Sequence, residues 1–173
     1  MVKSASIYSP GDIVVHRSYG IGRIDSVENK PLNGIDVECF KVETNNGIYW
    51  FPTENVDNPR VHPVATKSVI NQAINILRSA PQNEEFDPIQ WKDRIDEVQT
   101  GGDFLEVSGL VRDLAGLKMK KKLTRTQDQA LNSLEERMLQ EWAASLNVEL
   151  DLIRPKLKAY IEEGNSNLSE FTT

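Results

Sequence analysis

The chain has 173 residues, of which 39% are hydrophobic and 27% are charged, and its formal net charge is −6. This length suits one or two domains, and no stretch approaches the roughly 18 uncharged apolar residues that a membrane helix needs. No secretory signal is apparent, and Cys39, the one cysteine, cannot form an internal disulfide, so we expect a cytoplasmic protein without a membrane segment.

Residues 7–62 form a series of short runs typical of β-strands. Ile13–His16 is rich in β-branched residues, and residues 35–43 alternate between apolar and polar side chains. Asn33-Gly34 and Asn45-Asn46-Gly47 are turn signals that predict hairpins. Four or five short strands joined by tight turns predict a small antiparallel barrel, because closure removes exposed strand edges.

After Pro63 the apolar residues recur at helical spacing. Asp87 followed by Pro88, then Asp103, and then Thr124 with Gln127 three positions later, each predict the start of a helix. Pro155 either lies in the first turn of the last helix or kinks it. The sequence thus predicts an α+β protein, with a β-barrel domain over residues 1–62 and an all-α domain of about five helices over residues 63–173.

Patterns that would support catalysis or metal binding are weak. Two histidines, His16 and His62, have no paired spacing for a metal, and Cys39 lies within a predicted strand without a nearby base. Gly20 and Gly22 form a Gly-x-Gly with neither a third glycine nor a following helix. We therefore expect no enzyme activity, no cofactor, no metal and no small-molecule substrate.

Two features favour nucleic-acid binding. A basic connection between two predicted helices lies beside a helix start that also favours phosphate, although a lysine run is more often a solvated loop. Trp91 lies early in a predicted helix next to Lys92 and near Arg94, where it is either a core residue or an aromatic surface for DNA. The basic connection consists of Lys118, Lys120, Lys121, Lys122 and Arg125.

The sequence resembles the CarD/CdnL family of bacterial regulators that bind RNA polymerase, whose N-terminal module also occurs in transcription-repair coupling factors. The resemblance covers roughly residues 7–147, and the order and spacing of its segments make it fairly specific. Those segments include PGDIVVH at 10–16, YGIGRI at 19–24, FKV at 40–42, PTENV at 52–56, WKDR at 91–94 and GGD at 101–103.

The resemblance implies a Tudor-like barrel that docks on a lobe of the polymerase β subunit, partly by strand pairing. It further implies that the helical domain contacts promoter DNA at the upstream edge of the melted region, largely without reading sequence. There a tryptophan wedges into the minor groove and stabilises the open complex. The implied polymerase-binding residues are Lys30, Trp50 and Phe51, and the implied wedge is Trp91. Together with the basic residues singled out above, the expected DNA-binding residues are Trp91, Lys92, Arg94, Lys118, Lys120, Lys121, Lys122 and Arg125.

Two positions depart from the pattern of the family. Trp50 stands where some relatives carry an arginine, so polymerase contact there is either apolar or lost. Asp93 stands where some relatives carry a basic DNA contact. An alternative therefore remains, in which the chain is a protein-interaction module without direct DNA contact and Trp91 is a core residue.

Overall fold

The computed structural model describes residues 6–54, 58 and 60–169. The chain divides after Val64 into two compact units, called here the β unit and the helical unit. Across the described ranges, no helix is both long enough and apolar enough to cross a membrane. Asn55 and Val56, which belong to one of the segments that resemble the CarD/CdnL family, lie outside the described residues.

The β unit is one antiparallel sheet in which the strand order is β4-β3-β2-β1-β5. The predicted hairpin at Asn33-Gly34 is confirmed, since Leu32 pairs with Ile35 and the two turn residues have φ values of 51° and 79°. The strands are β1 (Ile13–His16), β2 (Gly20–Leu32), β3 (Ile35–Thr44), β4 (Gly47–Pro52) and β5 (Val61–Pro63).

The predicted fold class, a Tudor-like antiparallel β domain followed by an all-α domain, is confirmed, although among the described residues the sheet does not close into a complete barrel. Strands β4 and β5 lie at opposite ends of the strand order, and β5 has only three residues with which to pair. A bulge between Ile24 and Ser26 bends β2, so that all five strands bury side chains in one cluster. That cluster is Val14, Ile24, Phe40, Val42, Tyr49, Phe51 and Val61.

Within the described residues the helical unit has five helices, in line with the roughly five that the sequence predicts. Asp87, Asp103 and Thr124 each accept a hydrogen bond from the backbone N–H three residues on and complete a capping box, which confirms these predicted helix starts. Pro155 lies inside the last helix, beyond its first turn. The helices are α1 (Lys67–Leu77), α2 (Pro88–Gly101), α3 (Phe104–Lys120), α4 (Arg125–Leu146) and α5 (Leu150–Ser169).

Helix α3 is the centre of the helical unit and contacts each of the other four helices. Leu110, Val111 and Leu114 have no solvent exposure, so α3 is buried through its middle turns. Its C-terminal residues Lys118 and Lys120 emerge from this core into solvent. The helix therefore joins the packed interior to the predicted basic surface.

Candidate polymerase and nucleic-acid interfaces

Trp91 lies in the core of the helical unit. With Ile95 and Val98 it forms a stripe at helical spacing on α2, and only 1% of its surface is exposed. Phe86 packs edge-on against the indole, with 5.6 Å between ring centroids. The side chain is thus not on the surface where a DNA wedge would need it, and the alternative interpretation, a core tryptophan, describes its position.

The indole N–H of Trp91 is buried without an acceptor among the described residues. A buried donor without a partner costs roughly 1–3 kcal/mol, because its hydrogen bond to water is lost on folding. Packing of Trp91 is therefore less favourable than that of a core tryptophan whose N–H is satisfied.

The two basic residues beside Trp91 differ in their surroundings. Lys92 is exposed and pairs with Asp96, one turn further along α2, at 3.1 Å. Arg94 forms an ion pair at 2.7 Å with Asp113, a carboxylate on α3 that is entirely buried. Lys92 can therefore reach DNA phosphate once it leaves Asp96, whereas Arg94 neutralises an internal charge and is not a free surface cation.

Asp113 also fixes the connection between α1 and α2. One of its oxygens accepts the backbone N–H of Gln82 at 2.8 Å and the Nε–H of Arg112 at 2.7 Å. Pro81 packs so closely on Gly116 that a Cβ there would lie 2.3 Å from the proline ring. Residues 79–86, called here the clamped loop, are thus held against α3, and Phe86 at their end packs on the Trp91 ring.

The predicted basic residues come together where α3 ends and α4 begins. Their side chains are exposed, and they line an open depression of about 820 Å³. Leu123 lies between them and is 9% exposed, so the short connection is anchored in the core. This basic surface consists of Lys118, Lys120, Lys121, Lys122 and Arg125.

Two of these cations already form ion pairs with acidic neighbours. Lys118 pairs with Asp128 at 3.2 Å, and Lys120 pairs with Glu84 of the clamped loop. The structure records no ion pair for Lys121, Lys122 or Arg125 within the described ranges. Three cations are therefore available to phosphate without any rearrangement. The other two become available if phosphate displaces their carboxylate partners.

The first turn of α4 adds backbone donors to the basic surface. The capping box uses the N–H groups of Thr124 and Gln127, so those of Arg125 and Thr126 have no partner within the helix. Free N–H groups and the helix dipole both favour an anion at this end. The arrangement can hold backbone phosphate and has no feature that selects a base.

Lys30 and Trp50 meet on the outer face of the β sheet. The Lys30 ammonium lies 4.2 Å from the centroid of the indole, and the Trp50 N–H donates to the Glu28 carboxylate at 3.0 Å. This hydrogen bond lowers the pKa of Glu28. Trp50 is 41% exposed, so the sheet presents an aromatic side chain held between an anion and a cation.

Phe51 faces the opposite way, which corrects its predicted exposure to polymerase. Successive residues of a strand point to opposite faces, and Phe51 is 3% exposed within the core of the β unit. It packs against Phe40 with ring centroids 5.3 Å apart. Phe51 therefore anchors the strand that carries Trp50 in the core and is too buried to contact a partner directly.

Sequence reasoning missed further apolar residues on the outer face. By strand alternation and pairing, Leu32, Ile35 and Ile48 lie on the same side of the sheet as Trp50, with exposures of 44%, 68% and 47%. The sequence did contain a signal for this face, because strand alternation places Val37 and Lys41 on the same side of β3 as Ile35. In the described ranges β4 pairs only with β3, so its other edge has unpaired backbone groups.

Comparisons with known proteins show what this chain is similar to. Residues 8–65 match the family described as "CarD-like/TRCF RID domain". Over 155 residues the chain is 26% identical to "Putative transcription factor YdeB" of Bacillus subtilis (strain 168), which covers 86% of this chain and 93% of that protein. The predicted resemblance to the CarD/CdnL family is therefore confirmed, and these names indicate a transcription regulator rather than an enzyme.

Proposed function

We propose that this chain, whose residues 8–65 form a CarD-like/TRCF RID domain, binds the RNA polymerase β subunit through its β unit and promoter DNA through its helical unit. The match of the β unit to that domain is the observation that carries the proposal. The two units carry different chemistry, since the outer sheet face presents exposed apolar and aromatic side chains among paired charges, whereas the exposed end of α3 is basic.

The polymerase contact uses the outer face and the β4 edge. An unpaired edge can add a strand from a partner, and main-chain hydrogen bonds then supply affinity while neighbouring side chains supply specificity. Trp50 offers the large, rigid contact area typical of residues that dominate an interface, and Lys30 lies directly over it. Phe51 contributes indirectly, because its packing in the core fixes the course of β4.

A binding assay with the isolated polymerase β lobe tests this contact. We expect Trp50→Ala and Lys30→Glu each to weaken binding by tenfold or more, because loss of a hot-spot residue costs about 2 kcal/mol. Lys92→Glu makes the same charge change in the helical unit and serves as the control. Unchanged affinity in both β-unit variants would mean that another face of the sheet meets polymerase.

The DNA contact uses the basic surface and is weak without polymerase. The whole chain carries a net charge of −6, and two of the five cations of the basic surface must first exchange their carboxylate partners. Tethering to polymerase raises the local concentration of the helical unit at the promoter, which offsets a low intrinsic affinity. Lysines and backbone N–H groups then contact phosphate whatever the sequence.

Stabilisation of the open complex by a Trp91 wedge is the finer part of the proposal. It requires the indole to leave the core and the clamped loop to release Phe86 from it. The unpaired indole N–H favours such a release, because exposure restores its hydrogen bond. We expect Trp91→Ala to shorten the lifetime of the open complex; an unchanged lifetime would remove the wedge from the proposal.

A second candidate is a protein-interaction module without DNA contact, and the burial of Trp91 favours it. The double variant Lys121→Glu/Lys122→Glu separates the two functions, because both residues are exposed and lack an ion pair in the described structure. If the helical unit binds DNA, this variant shortens open-complex lifetimes while polymerase binding is retained. If lifetimes do not change, the interaction module is the better description.

A further inference from the structure

Met119 is an apolar side chain exposed in the middle of the basic surface. It lies on the last turn of α3 between Lys118 and Lys120, and 75% of its surface is accessible. Among the large hydrophobic residues described, none is more exposed. It lines the same open depression as the five cations.

Packing does not account for a methionine at this position. Leu110, Leu114 and Leu117 face the core from α3, and Met119 follows Leu117 by two residues, which turns it about 200° around the helix. The side chain therefore points away from the stripe that the core needs. Single exposed apolar residues are common, so the argument depends on what surrounds this one.

We propose that Met119 is an apolar side chain, separate from Trp91, that enters the minor groove of DNA when the basic surface binds phosphate. This inference rests on the proposed DNA contact of the helical unit. It names the residue that would make the helical unit favour deformed DNA over regular duplex. Proteins that bind the minor groove insert methionine, leucine or similar apolar side chains between base steps, flanked by cations on the backbone. Met119 has that setting in the structure, with lysines on both sides.

The geometry supplies each part of such a contact. Lys121, Lys122 and Arg125 can hold phosphates, and the first turn of α4 adds backbone N–H groups. Met119 is unbranched and flexible, so it can adapt to a groove without rearrangement of the fold. Trp91, in contrast, must leave a packed core before it can reach DNA.

Partial unstacking of a base step costs free energy, and the cost is smaller where the bases are already mismatched. An inserted side chain therefore gives a preference for a duplex with a central mismatch over the matched duplex. Cations on the backbone give no such preference, because both duplexes carry the same phosphates. The preference ratio thus isolates the apolar contact from the charge.

The experiment measures binding of the full chain to a matched and a mismatched 20-base-pair duplex at low salt. We expect the wild type to prefer the mismatched duplex and Met119→Ala to lose that preference by up to about tenfold, the value of one buried methionine side chain. Met119→Lys is the sharper test, because it should bind the matched duplex more tightly through its added charge yet lose the preference. Ile89→Ala, which truncates a side chain that is 70% exposed on α2, should change neither value.

The outcomes separate this inference from the proposed function. If the Met119 variants keep the wild-type preference, or if the wild type has no preference, Met119 is not inserted. The proposed DNA contact still stands in that case, provided that Lys121→Glu/Lys122→Glu weakens binding to both duplexes. If that double variant weakens neither, or the wild type binds neither duplex, the DNA contact itself fails and the Met119 inference fails with it. Thermal melts should agree among the variants, because Met119 contributes little buried area.

Discussion

Replacement of Trp91 by alanine tests whether the indole is in the core when the protein is in solution. The side chain is 1% exposed and contacts Phe86, so the change opens a large cavity. Such truncations of buried aromatic residues cost about 3–5 kcal/mol. Because alanine also removes a buried N–H that has no acceptor among the described residues, we expect a loss near the lower end of that range.

Urea unfolding followed by circular dichroism at 222 nm measures this loss, because that signal reports the helices. With a slope of about 1–3 kcal/mol per molar urea, a loss of about 3 kcal/mol lowers the midpoint by roughly 1–3 M. Trp91→Phe keeps an aromatic ring against Phe86 and removes the unpaired donor, so we expect it to lose less than about 2 kcal/mol.

Ile89→Ala provides a matched control on the same helix. Ile89 is 70% exposed, and its truncation should change stability by less than about 0.5 kcal/mol. A loss below about 1 kcal/mol for Trp91→Ala would refute the core assignment. The indole would then spend its time at the surface, where it could reach DNA without first leaving a packed core.

Three further predictions concern charge. Asp113→Ala leaves two arginines without their buried counter-ion, so it should cost about 3–5 kcal/mol in urea unfolding, and a cost below 1 would refute the network. Burial, and secondarily a nearby arginine, lowers the pKa of His16, whose Nδ1 accepts two backbone N–H groups. Because the unfolded chain binds the proton more readily, the stability of the β unit should hold above pH 6.5 and fall below it. Hydrogen-exchange protection measures this pH dependence, and His16→Asn should remove it. Asp128→Asn frees Lys118 and should tighten DNA binding with a steeper salt dependence, whereas equal affinity would mean that Lys118 does not reach phosphate.

Local structure was predictable from the sequence where all the residues that determine it lie within one short segment. Asp87, Asp103 and Thr124 each form a cap with residues within the next three positions, so their patterns identify helix starts directly. The hairpin at Asn33-Gly34 is similar, because its turn geometry demands residues that tolerate positive φ. These features do not depend on the rest of the chain.

The orientation of individual side chains was partly predictable from periodicity. Trp50 and Phe51 are adjacent on a strand, so strand alternation alone rules out that both face one partner. The spacing of Trp91 with Ile95 and Val98 is likewise that of a buried helical stripe. The family resemblance indicated a surface role for Trp91, whereas the local pattern favoured the core.

Contacts between distant segments could not be predicted. Arg94 lies 19 residues from Asp113, and Lys120 lies 36 residues from Glu84. Nothing in either local sequence distinguishes these residues from solvated charges, because the pairing arises only when α2, the clamped loop and α3 pack together. The number of cations available to DNA therefore had to come from the structure.

The same loop links the basic surface to Trp91, which raises the question of whether phosphate binding could expel the indole. Glu84 holds Lys120, and Phe86, two residues later, covers the Trp91 ring. An exposed ion pair is worth about 0–1 kcal/mol, whereas burial of the tryptophan is worth about 3–5 kcal/mol. Since Asp113 and the Pro81–Gly116 contact also hold the loop, capture of Lys120 by phosphate is too weak to release Trp91. Release of a tryptophan wedge therefore requires binding energy from the melted DNA itself, whereas Met119 is already exposed and needs no release from the core.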